Sequence, residues 1–290
     1  MILVTGSAGK TGRAVLQALK EKGAPVRALI HRSDQIALVE SLGAQDAIIG
    51  DINSRTIMNR AVQGVHSIYH ICPNMHPDEI TIGQTVIAAA QSAGVGHFVY
   101  HSVLYPQIEA MPHHWNKLRV EEQLIESRLP FTILQPTAYM QNILAHWENI
   151  LDEGIYPLPY PAETRLSLVD LLDVAQVAAL ILTETGHKHA TYELVGTNDI
   201  SQTEIAAILS DRLDRPVQIT SVPLEEWEVQ ARNSGLGNYQ VSTLLKMFHH
   251  YQHFDFNGNP RVLGWLLQRP PTTFEAFVER RMLQHLTEIK

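Results

Sequence analysis

Glycines at positions 6, 9 and 12 enclose Ser7, Ala8, Lys10 and Thr11, and they follow directly on the apolar residues Ile2, Leu3 and Val4. A turn with glycine at every third position lets its backbone approach a bound anion closely, and a helix opening behind it offers free amide groups to that anion. The ligand that a strand, turn and helix of this kind suits is the diphosphate of a dinucleotide. Gly9, Lys10 and Thr11 also suggest a phosphate loop of the ATPase type, but that motif needs a glycine five positions before Gly9, where Val4 stands. A glycine turn serving only chain reversal is the remaining alternative.

Dinucleotide folds that prefer NAD place an acidic residue after the second strand for the ribose hydroxyls, whereas a basic residue there suits the 2′-phosphate of NADP. His31, Arg32 and Ser33 follow the apolar run at 26–30. Arg32, helped by Lys10, can therefore hold that phosphate in a two-pronged grip, and NADP(H) is expected over NAD(H). Asp34, two residues after Arg32, is the feature that could overturn this preference, and a solvated loop charge is the plainer reading of the arginine.

The sequence holds 15 histidines, among them the group His249, His250 and His253 beside Lys246. No cysteine or carboxylate stands at a familiar ligand spacing, so no metal is expected and the group reads as a solvated helix face. Trp115, Tyr139, Tyr156, Tyr160 and Trp227 allow an aromatic pocket for a planar molecule, although core packing is the commoner use of such residues. Cys72, beside Pro73, reads as a buried filler or as a redox-sensing thiol.

These groups need a frame. Residues 2–5, 26–30, 47–49, 68–71, 98–100 and 131–134 are short apolar runs of the kind buried in parallel sheets, and segments of helical spacing lie between them. The alternation predicts an α/β fold, a doubly wound and mostly parallel Rossmann sheet. After Leu151 the rhythm changes. A smaller, mixed C-terminal substrate lobe is expected over 152–290, behind a nucleotide-binding domain at 1–151, with some later segments returning to the sheet. Within that lobe the pattern predicts an apolar helix over 168–182, a strand at 191–195, a helix over 201–213 capped by Ser201 with Glu204, a strand at 217–222 and a helix over 274–286.

At 290 residues and 45% hydrophobic content the chain can bury a large core. Its net charge of -8 gives no general attraction for nucleic acid, which is not expected as a partner. A single cysteine excludes an intrachain disulfide. With no basic leader before the first strand and no apolar run near the roughly 18 residues of a membrane span, a cytoplasmic protein without membrane attachment is expected.

With the turn, Arg32, the Gly50-Asp51 pair and the segment 113–142 together, the chain resembles, over most of its length, the NmrA-like family of atypical short-chain dehydrogenases. The resemblance implies that Asp51 and Ile52 lie near the adenine and that Pro73 and Asn74 line the nucleotide groove. It implies that Lys117 contacts the nicotinamide ribose, and that the loop at 136–142, with Tyr139, Met140, Gln141 and Asn142, closes over the nicotinamide. Ser102 falls where the wider superfamily keeps a catalytic serine, and a capping hydroxyl is its plainer role.

Short-chain dehydrogenases commonly use Tyr-x-x-x-Lys, the lysine lowering the tyrosine pKa. Here His113 stands four residues before Lys117, so the tyrosine is missing. His113 becomes a candidate proton donor, with Pro112 before it as a helix start. Two functions follow from the resemblance. One is a reductase passing hydride from NADPH to a quinone-like or other conjugated small molecule, which needs little positioned acid because such an acceptor stabilises negative charge itself. The other is an NADP(H) redox sensor acting through a regulatory protein partner. A homodimer is left open.

Overall fold

The computed structural model describes residues 1–288, and the final two residues of the expected second lobe lie outside them. The chain opens with β1 (Ile2–Val4), α1 (Lys10–Glu21), β2 (Val26–Ile30), α2 (Ile36–Ser41), β3 (Ala44–Ile49), α3 (Arg55–Ala61), β4 (Ser67–His70), α4 (Glu79–Ser92), β5 (His97–His101), α5 (Pro112–Glu126) and β6 (Phe131–Pro136). There follow β7 (Ala138–Tyr139), α6 (Trp147–Asp152), β8 (Ile155–Leu158), β9 (Arg165–Leu166), β10 (Leu168–Val169), α7 (Leu171–Thr183) and β11 (Ala190–Leu194). The remaining elements are β12 (Ile200–Ser201), α8 (Gln202–Leu213), β13 (Gln218–Ser221), α9 (Leu224–Asn233), α10 (Asn238–Phe254), α11 (Arg261–Leu267) and α12 (Phe274–Glu288). No described helix is long and apolar enough to cross a membrane.

Two compact units share this chain. The first comprises Met1–Pro136 and Val174–Glu193, so the division falls after Pro136, where the sequence rhythm had pointed to Leu151. Its seven strands run in the order β11-β6-β5-β4-β1-β2-β3, and every pairing from β3 to β6 is parallel. The order reverses between β1 and β4, the topological switch point where open α/β sheets leave a crevice at the carboxyl ends of their strands. β1 is buried along its whole length, which is why its sequence is a continuous apolar run instead of an alternating one.

On one side of this sheet Leu3, Leu29, Ile68, Phe98 and Ile133 pack with Met58 of α3, Ile82 and Val86 of α4, and Val120 and Leu124 of α5. α4 and α5 come unusually close. A Cβ at Gly83 would lie 2.7 Å from a methyl carbon of Val120, so only glycine admits this approach.

The second unit comprises Thr137–Asp173 and Leu194–Lys290, of which 137–173 and 194–288 are described. Its strands form three small ladders: β7 with β10 and β8 with β13 in parallel, β9 with β12 antiparallel. The stretch at 168–182 is not wholly helical, because Leu168 and Val169 form β10 before α7 begins. α8 starts as its sequence predicts: Ser201 Oγ accepts from the Glu204 amide at 3.1 Å, and Glu204 Oε2 accepts from the Ser201 amide at 2.8 Å.

Two aspartates at the entrance to α7 are almost wholly buried. Asp170 accepts from Gln141 Nε2 at 2.7 Å and Arg280 Nη2 at 2.6 Å, while Asp173 accepts from Arg269 Nη2 at 2.6 Å and the Thr272 amide at 2.7 Å. Burying a carboxylate is costly unless hydrogen-bond donors surround it, as they do here.

Candidate functional site

The turn after β1 is built as its glycines demand. Gly6 takes φ 59°, its carbonyl accepts from the Gly9 amide at 3.0 Å, and Ser7 Oγ donates to the Val4 carbonyl at 2.6 Å. A Cβ on Gly12 would lie 2.2 Å from the Gly6 carbonyl oxygen and 2.7 Å from Ser7 Cα. The first turn of α1 therefore presses directly on the loop, leaving Gly6, Gly9 and Lys10 exposed above it.

Thr5 ties the turn to the neighbouring strand across the switch point. Its hydroxyl donates to the Ile71 carbonyl at 3.0 Å and accepts from the Ile71 amide at 2.8 Å. With that proton committed, the 3.0 Å contact to His70 requires His70 Nδ1 to be the donor, and Nε2 is then a buried acceptor without a partner.

Arg32, exposed beyond β2, grips Asp34 through Nε at 3.0 Å and Nη2 at 3.2 Å. The backbone amides of His31 and Arg32 are both held by Gln35 Oε1 at 3.1 Å. Asp51 is exposed, with its carboxylate accepting from the Asn53 amide at 2.9 Å, and Ile52 is half-buried. Pro73 and Asn74 are exposed in the loop after β4. Cys72 packs in the core, and burial, reinforced by Glu79, raises its thiol pKa well above the ordinary value. A thiol held protonated in this way is a filler and a poor nucleophile.

α5 begins at Pro112 and already includes His113, so His113, Lys117 and Glu121 stand at four-residue spacing on one face. Lys117 Nζ donates to Glu79 Oε1 at 2.6 Å and to the His101 carbonyl at 3.4 Å, and it lies 5.6 Å from the centre of the Tyr100 ring. Tyr100 donates its hydroxyl proton to the same Glu79 oxygen at 3.2 Å and stacks on His70, with ring centres 5.7 Å apart. Burial is the strongest single influence and lowers the lysine pKa, but Glu79, through its charge and its hydrogen bond, together with Cys72 and Glu121 outweighs it and the value is raised.

Ser102 does not stand free. Its hydroxyl donates to Glu121 Oε1, and Gln135 Nε2 reaches the two oxygens of that carboxylate at 3.0 and 3.1 Å. Burial raises the Glu121 pKa despite these donors and despite Lys117 nearby. Glu79 and Glu121 are the residues that sequence reasoning missed. Glu121 was signalled by its place four residues after Lys117, whereas nothing local to Glu79 announces its partner.

His113 is buried, with Nδ1 lacking a partner. Burial, His114 and Lys117 push its pKa down to about 2, and burial with Lys117 holds His70 and His101 at about 3. All three rings are thus neutral near pH 7, and a proton from His113 would have to come from the neutral imidazole.

The same depression has a cost in acid. An unfolded chain takes up protons on these histidines below about pH 6.5, and the folded chain does not until far lower. Each therefore removes about 1.4 kcal/mol of stability per pH unit over that window. Denaturant midpoints are expected to be level between about pH 7 and 8 and to fall steeply from about pH 6 to 4. Midpoints unchanged across the lower range would mean that the rings charge within the fold.

In the second unit, Tyr139 belongs to β7, and Met140, Gln141 and Asn142 begin the 3-10 helix Met140–His146. Gln141 is committed locally, to Asp170 and to the Leu171 amide at 3.1 Å. The aromatic residues divide. Tyr160 packs against Phe248 and Tyr251, Trp227 lies 4.8 Å from Phe248, and Tyr156 donates to Gln202 at 2.9 Å. Lys246, His249 and His253 are exposed on α10, as the sequence suggests, while His250 of the same group is half-buried.

The chain matches the NmrA-like family over residues 1–288. It is 29% identical over 285 residues to an NAD(P)H azoreductase of Xenophilus azovorans, covering 96% of this chain and 97% of that protein. It is 33% identical over 239 residues to a (4-alkanoyl-5-oxo-2,5-dihydrofuran-3-yl)methyl phosphate reductase of Streptomyces griseus, covering 81% and 80%. Among solved structures, an NADPH-dependent quinone oxidoreductase of Escherichia coli complexed with NADPH superposes with a TM-score of 0.85 at 22% identity, over 97% of this chain and 100% of that one.

Proposed function

Because this chain belongs to the NmrA-like family, we propose that it is an NAD(P)H-dependent oxidoreductase that prefers NADPH and reduces flat, conjugated small molecules such as quinones or azo compounds. The observation that carries this reading is the turn at 6–12 pressed onto α1, a donor set that fits a dinucleotide diphosphate. The names of the azoreductase and the quinone oxidoreductase support the acceptor class.

The bound nicotinamide would supply hydride. The chain's own residues would do the rest. The turn and the start of α1 would receive the diphosphate, Arg32 would exchange Asp34 for the 2′-phosphate together with Lys10, Asp51 and Ile52 would flank the adenine, and Pro73 and Asn74 would line the groove. Lys117 commits two of its three N–H groups to Glu79 and His101. The third would hold the nicotinamide ribose. Ser102 and His113 are the groups proposed to supply a proton, and an acceptor that spreads negative charge over its own π system asks little of them.

NADPH oxidation followed against a panel of quinones and azo dyes tests the activity, and no turnover above background with any of them would overturn it. For the cofactor, Arg32→Ala is expected to weaken NADPH by about tenfold to a hundredfold while leaving NADH within about twofold, the loss of a charge-assisted bidentate contact. Asp34→Ala should shift affinity the other way by freeing the guanidinium. Equal losses for the two nucleotides in Arg32→Ala would remove the NADP assignment.

A further inference from the structure

We infer that Glu79 is a positioning residue of the reaction, acting through Lys117: it fixes the ammonium at the carboxyl end of β5 and keeps it charged. This rests on the proposed role of Lys117 at the nicotinamide ribose.

The geometry is specific. Glu79 begins α4, and its side chain is 2% exposed against 16% for that of Lys117. It cannot be a solvent-facing counter-ion. Gly83, one turn further along α4, admits Val120 of α5 to a distance that any side chain would forbid, and Val120 stands one turn beyond Lys117. The missing Cβ of Gly83 thus sets the helix separation at which a 2.6 Å ion pair forms. Tyr100 fixes the remaining freedom by donating to the same Glu79 oxygen and presenting its ring to the ammonium.

The groups facing Lys117 come from every element around it: Glu79 from α4, Tyr100 and the His101 carbonyl from β5, His70 from β4, Cys72 just after it, and His113 and Glu121 from α5 itself. The histidines are neutral, the thiol and the phenol are protonated, and Glu121 is pushed toward neutrality. Glu79 is the acid in direct contact with the ammonium. Without it, burial acts on the lysine against only the weaker pull of Cys72 and Glu121, and a buried lysine so exposed to desolvation loses its proton below the ordinary value.

The test compares wild type, Glu79→Gln and Glu79→Asp for NADPH affinity by fluorescence and for quinone reduction, from about pH 6 to about pH 10. The wild type is expected to hold its affinity and its kcat across this range. Glu79→Gln should acquire an alkaline limb, both quantities falling by about tenfold as Lys117 discharges. Glu79→Asp should show no limb but a lower kcat, since the charge is kept and the position is not. A Glu79→Gln profile parallel to that of the folded wild type overturns the inference.

Should Glu79→Gln fail to fold, the wild type itself decides. Lysines dimethylated with carbon-13 can be titrated by NMR, the Lys117 signal being the one absent from Lys117→Arg. No titration below the ordinary lysine range is expected, and titration near neutrality overturns the inference. A wild type that neither binds nor oxidises NADPH would defeat the proposed function, while this titration would still report on the pair.

Discussion

Gly12→Ala is expected to abolish measurable nucleotide binding. The new methyl carbon would stand 2.2 Å from the Gly6 carbonyl oxygen, 2.7 Å from Ser7 Cα and 2.8 Å from the Gly6 carbonyl carbon. All three are backbone atoms, so no rotamer change relieves the contact and the loop must lift away from α1. Lifting it moves the amides that would meet the diphosphate. Overpacking at a close-packed position commonly costs about 1–3 kcal/mol, so a lower melting temperature should accompany the loss. Gly9→Ala is the built-in control. Its Cβ would meet a single atom, the Gly6 oxygen, at 3.3 Å, and a far smaller effect is expected. Calorimetric titration with NADPH checks both, and Gly12→Ala binding within a few-fold of wild type would mean that the diphosphate does not rest on this turn.

Lys117→Met is expected to be the most destabilising conservative change in the first unit, and to eliminate turnover as well. It leaves the Glu79 carboxylate buried with the Tyr100 hydroxyl as its remaining donor, and breaking a buried pair from one side costs about 3–5 kcal/mol. For a chain of this size the melting temperature should drop by on the order of 10 °C. Adding Glu79→Gln should restore most of the stability, because the orphaned charge is gone, but none of the activity, because no cation returns. The coupling read from the double-mutant cycle is expected to exceed about 1 kcal/mol. Since the lysine pKa is raised, the pair's contribution is intact at neutral pH and is lost only as the pH climbs past the ordinary lysine value. A Lys117→Met protein as stable as its parent would contradict a buried pair.

These two predictions differ in how far the sequence foretold them. The glycine turn is a local device, in which spacing within seven residues carries the whole constraint, and the apolar runs of β1, β4 and β5, buried from end to end, and of β2 and β6, buried but for Arg27 and Phe131, were legible for that reason. Pro112 and the Ser201–Glu204 pair announced their helix starts for the same reason. Glu79 was illegible. It follows Pro77 and Asp78 in a polar stretch, where an acid at a helix start is ordinary, and its partner lies 38 residues away. Glu121 was only half legible, since Glu122 beside it makes the pair look like a solvated face. The two-residue strands β7, β9, β10 and β12 carry no periodicity at all, which is why β10 was absorbed into the apolar pattern of α7. Tyr160 and Trp227 were singled out as aromatics, but their shared neighbour Phe248 could be found only through packing.

The buried aspartates before and within the first turn of α7 bear on the order in which the chain can fold as it is made. The guanidinium that answers Asp170 is 110 residues downstream, and the donors to Asp173 come almost as late. Until that segment emerges from the ribosome, both carboxylates must stay hydrated, and the residues around them cannot close over a dry interior. The second unit should therefore remain protease-sensitive in nascent chains halted before residue 269, and become resistant abruptly once Arg280 is available.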